Sequence, residues 1–307
     1  LLHIAFLGGE PLLNFPLLKK VVEYCKQISA DTGKKFSYTI TTNGTLITDN
    51  IEKYLTENKI VCQISLDGTK EKNDMNRFFR NKKGSYDVIV EKTKSMRHMN
   101  LVTARATVTP DNSDYKEIFN HLNELEFRAI PIAIAQNMVD DEQFDKILSE
   151  YINYIFYFEE LILTKQYAKA KKMTDLVNAL EKIEFGNVRN NGCGAGRTMF
   201  AVDIDGTLYP CHRFVGERKF ALGNIWTGSD NSKFLKMINV RNRDKCSKCW
   251  AQNLCLGCCP HENYTNTNNI NLASERSCRM AKTIYEKLIS VYIKMSDEDK
   301  KMMWPED

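Results

Sequence analysis

Over its first 135 residues the sequence alternates two periods, and no other feature restricts its fold as much. Strand-length apolar runs occur at residues 3–8 (HIAFLG), 36–44 (FSYTITTNG), 61–68 (VCQISLDG), 104–112 (ARATVTPDN) and 129–135 (AIPIAIA). They read as buried strands. Between them lie helix-length stretches with apolar residues at helical spacing, such as Leu17, Val21, Val22, Tyr24, Cys25 and Ile28, or Ile51, Tyr54 and Leu55. Strand, helix, strand in repetition predicts an α/β fold with a parallel sheet under covering helices. Ligands of such sheets meet the C-terminal ends of the strands, where GGE (Gly8, Gly9, Glu10), TTNG (residues 41–44) and SLDG (residues 65–68) stand.

The pattern changes after residue 140. Residues 140–185 read as helical, and from residue 187 glycine, cysteine and asparagine become frequent while periodicity fades. A boundary is therefore expected at residues 185–191, dividing the chain into 1–186, a cysteine-rich domain at 187–285, and a helix end and tail at 286–307. The last helix is expected at residues 277–295, with Ile284, Leu288, Ile289 and Tyr292 on one face. The net charge of +4 is dispersed, and the densest basic run, residues 77–83, is short, so no nucleic-acid partner is expected. The opening LLHIAFLGGEPLL lacks a basic leader, and the most apolar window, residues 151–164, is interrupted by Asn153, Glu159 and Glu160. A cytoplasmic protein away from the membrane is the expectation, and there clustered thiols point to metal or redox chemistry before disulfides.

Five of the ten cysteines fall between Cys246 and Cys259. The full spacing is Cys193-x12-Gly206-x4-Cys211, then Cys246-x2-Cys249-x5-Cys255-x3-Cys259, then Cys278. A C-x2-C pair brings two thiolates to one metal from a tight turn, and iron-sulfur clusters use the same ligand chemistry, so spacing leaves zinc and clusters both open. Seven or eight thiolates with only His212 and His261 nearby favour clusters, because zinc would need two sites made almost wholly of thiolate. Cys25 and Cys62 lie on apolar elements and read as inert core thiols. Cys258 is either a spare ligand or a bystander.

The cysteine series resembles the SPASM domain, the extension of radical S-adenosylmethionine enzymes that carries two auxiliary 4Fe-4S clusters. The resemblance implies that Cys193, Cys211 and Cys259 hold the first cluster, and Cys246, Cys249, Cys255 and Cys278 the second. In the first half, Gly8-Gly9-Glu10 resembles the family's GGE motif, whose carboxylate meets the cofactor's amino group. Thr42, Asn43, Ser65 and Asp67 follow at strand ends as in that family, and Arg105 stands where its members place an arginine near the cofactor carboxylate. The implied fold is a partial (β/α)6 barrel lacking its first strand and helix, followed by a SPASM domain with little regular structure and a C-terminal helix.

Within the family, DIDGTLYPCHRFVG (residues 203–216) and LGNIWTG (residues 222–228) resemble maturases that crosslink ribosomally made peptides through thioethers. They also resemble the maturase of quinohemoprotein amine dehydrogenase. Anaerobic sulfatase maturases, which form formylglycine, are similar but place aspartate where this chain has His212. That histidine is open to two readings, a proton acceptor near neutral pH or a structural hydrogen-bonding group. The resemblance implies S-adenosylmethionine as cofactor, a precursor peptide as substrate and an electron donor such as flavodoxin or ferredoxin. It names no catalytic base. The family's CxxxCxxC motif, which would hold a third 4Fe-4S cluster, does not occur in these 307 residues. The expectation is thus a truncated radical enzyme, inactive alone, while the contrasting expectation is a non-catalytic metal-binding module that docks a peptide.

Overall fold

The computed structural model describes residues 1–186 and 192–305. Five parallel strands stand side by side in chain order: β1 (Leu2–Phe6), β2 (Phe36–Thr42), β3 (Val61–Ser65), β4 (Val102–Val108) and β5 (Ile132–Ile134). They curl into half a barrel. Parallel neighbours need long crossovers. These are supplied by α1 (Phe15–Thr32), α2 (Asp49–Glu57), α3 (Lys70–Asn76), α4 (Tyr86–His98) and α5 (Tyr115–Glu124), followed by α6 (Asp141–Leu163), α7 (Tyr167–Ala170) and α8 (Thr174–Glu184).

Local chemistry sets the helix ends. The Thr48 hydroxyl accepts from Ile51 N at the start of α2, Asp114 caps α5, and Asp140 and Gln143 form a capping box on α6. Gly33, at φ 69°, closes α1 in the left-handed conformation and donates to Ser29 O.

Strands β2 to β4 alternate strictly. Ile40, Cys62 and Val102 pair across the sheet and are 0 % exposed beneath the helices. Burial pushes the Cys62 thiol up to about 12, so it packs as an inert hydrophobe, as its sequence context predicts. Residues of the other parity, Ser37, Thr39, Thr41, Gln63, Ser65, Thr103, Arg105 and Thr107, are only half buried. All-parallel sheets are usually covered by apolar contacts on both faces. The second face of this one is polar and only half covered.

By packing, the chain divides into two compact units, Leu1–Val177 with the segment from Ser296 onward, and Asn178–Met295. The division falls inside α8; most of the boundary expected from sequence, residues 187–191, lies outside the described residues. The terminal α14 (Asp297–Met303) belongs to the first unit through Asp299, which is 2 % exposed. Its Oδ1 accepts from Lys165 Nζ and Tyr167 OH, each at 2.7 Å, and its Oδ2 from Ser296 Oγ at 2.7 Å. Burial alone would raise this carboxyl, but those donors hold it well below the usual carboxylate range.

The second unit contains a four-stranded antiparallel sheet of very short strands, β6 (Ala201–Val202), β7 (Thr207–Tyr209), β8 (Gly223–Asn224) and β9 (Gly228–Ser229). Its helices are α9 (Ser232–Ile238), α10 (Asp244–Ser247), α11 (Gln252–Cys255), α12 (Pro260–Thr267) and α13 (Glu275–Lys294). Its core centres on Phe214, with ring centroids 4.8 Å from Phe220 and 5.6 Å from Phe234. Gly196, at φ 67°, touches that core, and a Cβ there would approach Phe234 Cδ1 to 2.8 Å. Among the described residues no helix is long and apolar enough to cross a membrane.

Candidate functional site

At the mouth of the open sheet face, the turn after β1 brings Glu10 against the end of β2. Its Oε1 accepts from Thr42 Oγ1 at 2.7 Å and Leu12 N at 3.1 Å, and its Oε2 from Asn43 N at 2.8 Å. An ionised carboxylate offers about four lone-pair positions. Three are taken, so one remains for an incoming cationic N–H. Asn43 is fixed in turn, its Oδ1 accepting from Thr45 N at 2.9 Å and Thr45 Oγ1 at 2.7 Å. A Cβ built on Gly8 or Gly9 would meet nothing within 4 Å, so the backbone before Glu10 borders open space that another molecule can approach closely. Glu10, Thr42 and Asn43 therefore come together at the strand ends.

Asp67 occupies a different setting. It is 4 % exposed, and its carboxylate accepts from Arg77 Nε at 2.5 Å, Arg77 Nη2 at 3.1 Å and Thr107 N at 2.8 Å. Its carbonyl accepts from Asn112 Nδ2 at 2.7 Å. Those bonds tie the turn after β3 to α3 and β4. Ser65 pairs in register with Arg105 on the half-buried face. Facing Arg105 electrostatically is Asp175, at the start of α8, which the sequence reading does not single out. As a residue Asp175 is part-exposed, but its Oδ1 is sealed from solvent without a hydrogen-bond partner, and Oδ2 accepts from Tyr151 OH at 3.2 Å. Burial pushes this carboxyl up to about 7.

The second unit sorts its thiols into two groups. Cys211 feels the charges of Cys193 and Cys259. Cys246 feels Cys249 and Cys255, and Cys278 feels Cys246 and Cys255. Cys258 joins the larger group: its Sγ lies 3.5 Å from Cys255 Sγ and 3.7 Å from Ser277 O. The hydrogen bond shared by the two sulfurs holds Cys255 below the ordinary thiol range and Cys258 above it. At 3.5 Å the sulfurs are far from a disulfide bond length of about 2.05 Å.

Among the described residues no three His, Cys, Asp or Glu side chains converge tightly enough for a single ion. Zinc draws four donors to about 2.0–2.3 Å of one centre, whereas a cubane takes one thiolate per iron around a larger body. Donor sets made only of sulfur fit the ligand chemistry of such a cluster.

Known proteins agree with this geometry. Residues 1–125 match the Radical SAM superfamily, and residues 193–250 match SPASM, an iron-sulfur cluster-binding domain. The chain is 27 % identical over 310 residues to a cysteine-type anaerobic sulfatase-maturating enzyme of Clostridium novyi, covering 93 % of this chain and 80 % of that protein. It is 23 % identical to the radical SAM cyclopropyl synthase TigE of Paramaledivibacter caminithermalis, covering 94 % and 60 %. Among solved structures, anSMEcpe with bound AdoMet superposes with a TM-score of 0.77 at 22 % identity, covering 98 % of this chain and 84 % of that one. The form with AdoMet and Kp18Cys peptide gives 0.78, covering 95 % and 86 %. The chain thus carries a Radical SAM domain, matched over β1 to β4, and a SPASM domain, matched over Cys193, Cys211, Cys246 and Cys249.

Proposed function

We propose that this protein acts in the radical modification of a peptide side chain, with S-adenosylmethionine at the strand ends of the first unit and two 4Fe-4S clusters on the cysteines of the second. The observation that carries the reading is Glu10, a carboxylate with three protein donors and one acceptor position left, beside glycines that border open space. In this reading Glu10 binds the cofactor's amino group, Ser65 and Arg105 face its carboxylate, and Thr41, Gln63 and Thr103 present a polar surface to peptide. Asp67 holds the strand ends in place through Arg77 and Thr107. Cys193, Cys211 and Cys259 hold one cluster, and Cys246, Cys249, Cys255 and Cys278 the other. When bound, these groups supply the one-electron and radical chemistry that side chains lack.

A crosslink such as a thioether is the proposed product, favoured by His212 standing after Cys211 where the resemblance gives sulfatase maturases an aspartate. Formylglycine formation is the second reading, favoured by the sulfatase-maturating relatives. The non-catalytic docking module is the third. Anaerobic incubation of the polypeptide extended by a CxxxCxxC segment, with cofactor, reductant and a cysteine-containing precursor peptide, separates them. Loss of two hydrogens with a new crosslink supports the first, a carbonyl that reacts with hydrazide supports the second, and no 5'-deoxyadenosine sinks both.

A further inference from the structure

The two cysteine groups differ in the charge set against them. At the smaller group, Arg213 Nη1 donates to Cys259 Sγ at 3.6 Å and to Glu262 Oε1 at 2.7 Å. That guanidinium carries its counter-charge with it. At the larger group, Arg243 is 5 % exposed and is held by backbone, with Nη1 donating to Gly257 O at 2.9 Å and Nη2 to Ile238 O at 3.0 Å. The main charges facing it are the thiols of Cys246, Cys258 and Cys255. Further out, Lys182 stands near Cys255 and Glu262 also faces Cys258, opposing one another, while Lys282 and Glu275 oppose one another near Cys278. The larger group therefore sits against a buried net positive charge, and the smaller against a neutral pair.

A cluster gains negative charge on reduction, and its potential follows the surrounding charge, the hydrogen bonds to its sulfurs and its exposure. Burial strengthens such an interaction because little water screens it. We propose that Arg243 raises the reduction potential of the cluster held by the larger cysteine group, and that at the smaller group the same effect of Arg213 is cancelled by Glu262. The inference rests on the cluster reading above, and it makes Arg243, Arg213 and Glu262 positioning and tuning residues, none of them a ligand.

The test is a redox titration, followed by electron paramagnetic resonance, of the cluster-loaded full chain purified without oxygen, with iron and sulfide measured on each sample. Glu262→Gln should move one potential upward by freeing the charge of Arg213. Arg243→Gln should move the other downward, and Arg243→Lys, which keeps the charge, should restore most of that shift. Unchanged potentials at full iron and sulfide content overturn the proposal, as does a Glu262→Gln shift no larger at the smaller group than at the larger. If Arg243→Gln fails to assemble, Glu262→Gln decides alone, since it removes only a half-buried carboxylate. Wild-type protein without iron and sulfide would instead overturn the cluster reading on which the inference rests.

Discussion

The strand-end site and the cysteine groups draw their rigidity from different sources. Glu10, Thr42, Asn43 and Asp67 sit where a sheet meets its helices, above a row of residues with no exposure, and every one is fixed by protein hydrogen bonds. In the second unit Cys246 and Cys255 stand on helices of four residues and Cys278 on the first turn of α13, while the other cysteines stand on turns and loops. Elements that short hold few hydrogen bonds of their own. One region is shaped before any ligand arrives, while in the other metal binding and folding are expected to be coupled.

Metal removal should expose that contrast most strongly. Cys246→Ala or Cys255→Ala should lose about half of roughly eight irons and eight sulfides, as expected for one of two cubanes, and lower the unfolding temperature of the second unit. Cys258→Ala should keep its iron; a loss equal to that of Cys255→Ala would make Cys258 a ligand. Next in size is Asp67→Ala, which strands the Arg77 fork and Thr107 N–H and should cost about 3 kcal/mol in denaturant unfolding of the first unit. Its iron content should not change.

Asp175 gives a pH-dependent version of the same comparison. A carboxyl held at about 7 in the folded chain and at 3.8 otherwise takes up a proton on folding at pH values between the two. It costs nothing below pH 4 and progressively more as pH rises to 7. Asp175→Asn should therefore stabilise the first unit by about 2 kcal/mol at pH 8, roughly half the full linkage value because the residue is part-exposed, and hardly at all at pH 4. Thermal melts at both values check it, and an equal effect at both would mean the carboxyl is not perturbed. Smallest is Lys53→Ala, at an exposed pair 3.9 Å from Glu57, expected to stay within about 0.5 kcal/mol.

The sheet was legible because strict parity in β2 to β4 and helical spacing between them leave one way to bury the apolar set. The strand-end motifs were legible for the same reason, since GGE, TTNG and SLDG follow directly on those strands. The start of α13 was not read from its apolar face, because Ser274 caps it before the first buried turn begins. The small antiparallel sheet escaped because strands of two residues carry no period. Asp175 escaped because its neighbours, Arg105 and Tyr151, lie far away in sequence on other elements. Arg213, Arg243 and Glu262 escaped likewise, because nothing in a spacing pattern reports what donates to a sulfur.

The clasp at Asp299 has a consequence for biosynthesis. Lys165 and Tyr167 wait for a partner translated only after the whole of the second unit. A ribosome must therefore deliver every cysteine before the first unit can close. Order of synthesis thus makes this clasp available only once the second unit's cysteines are all present.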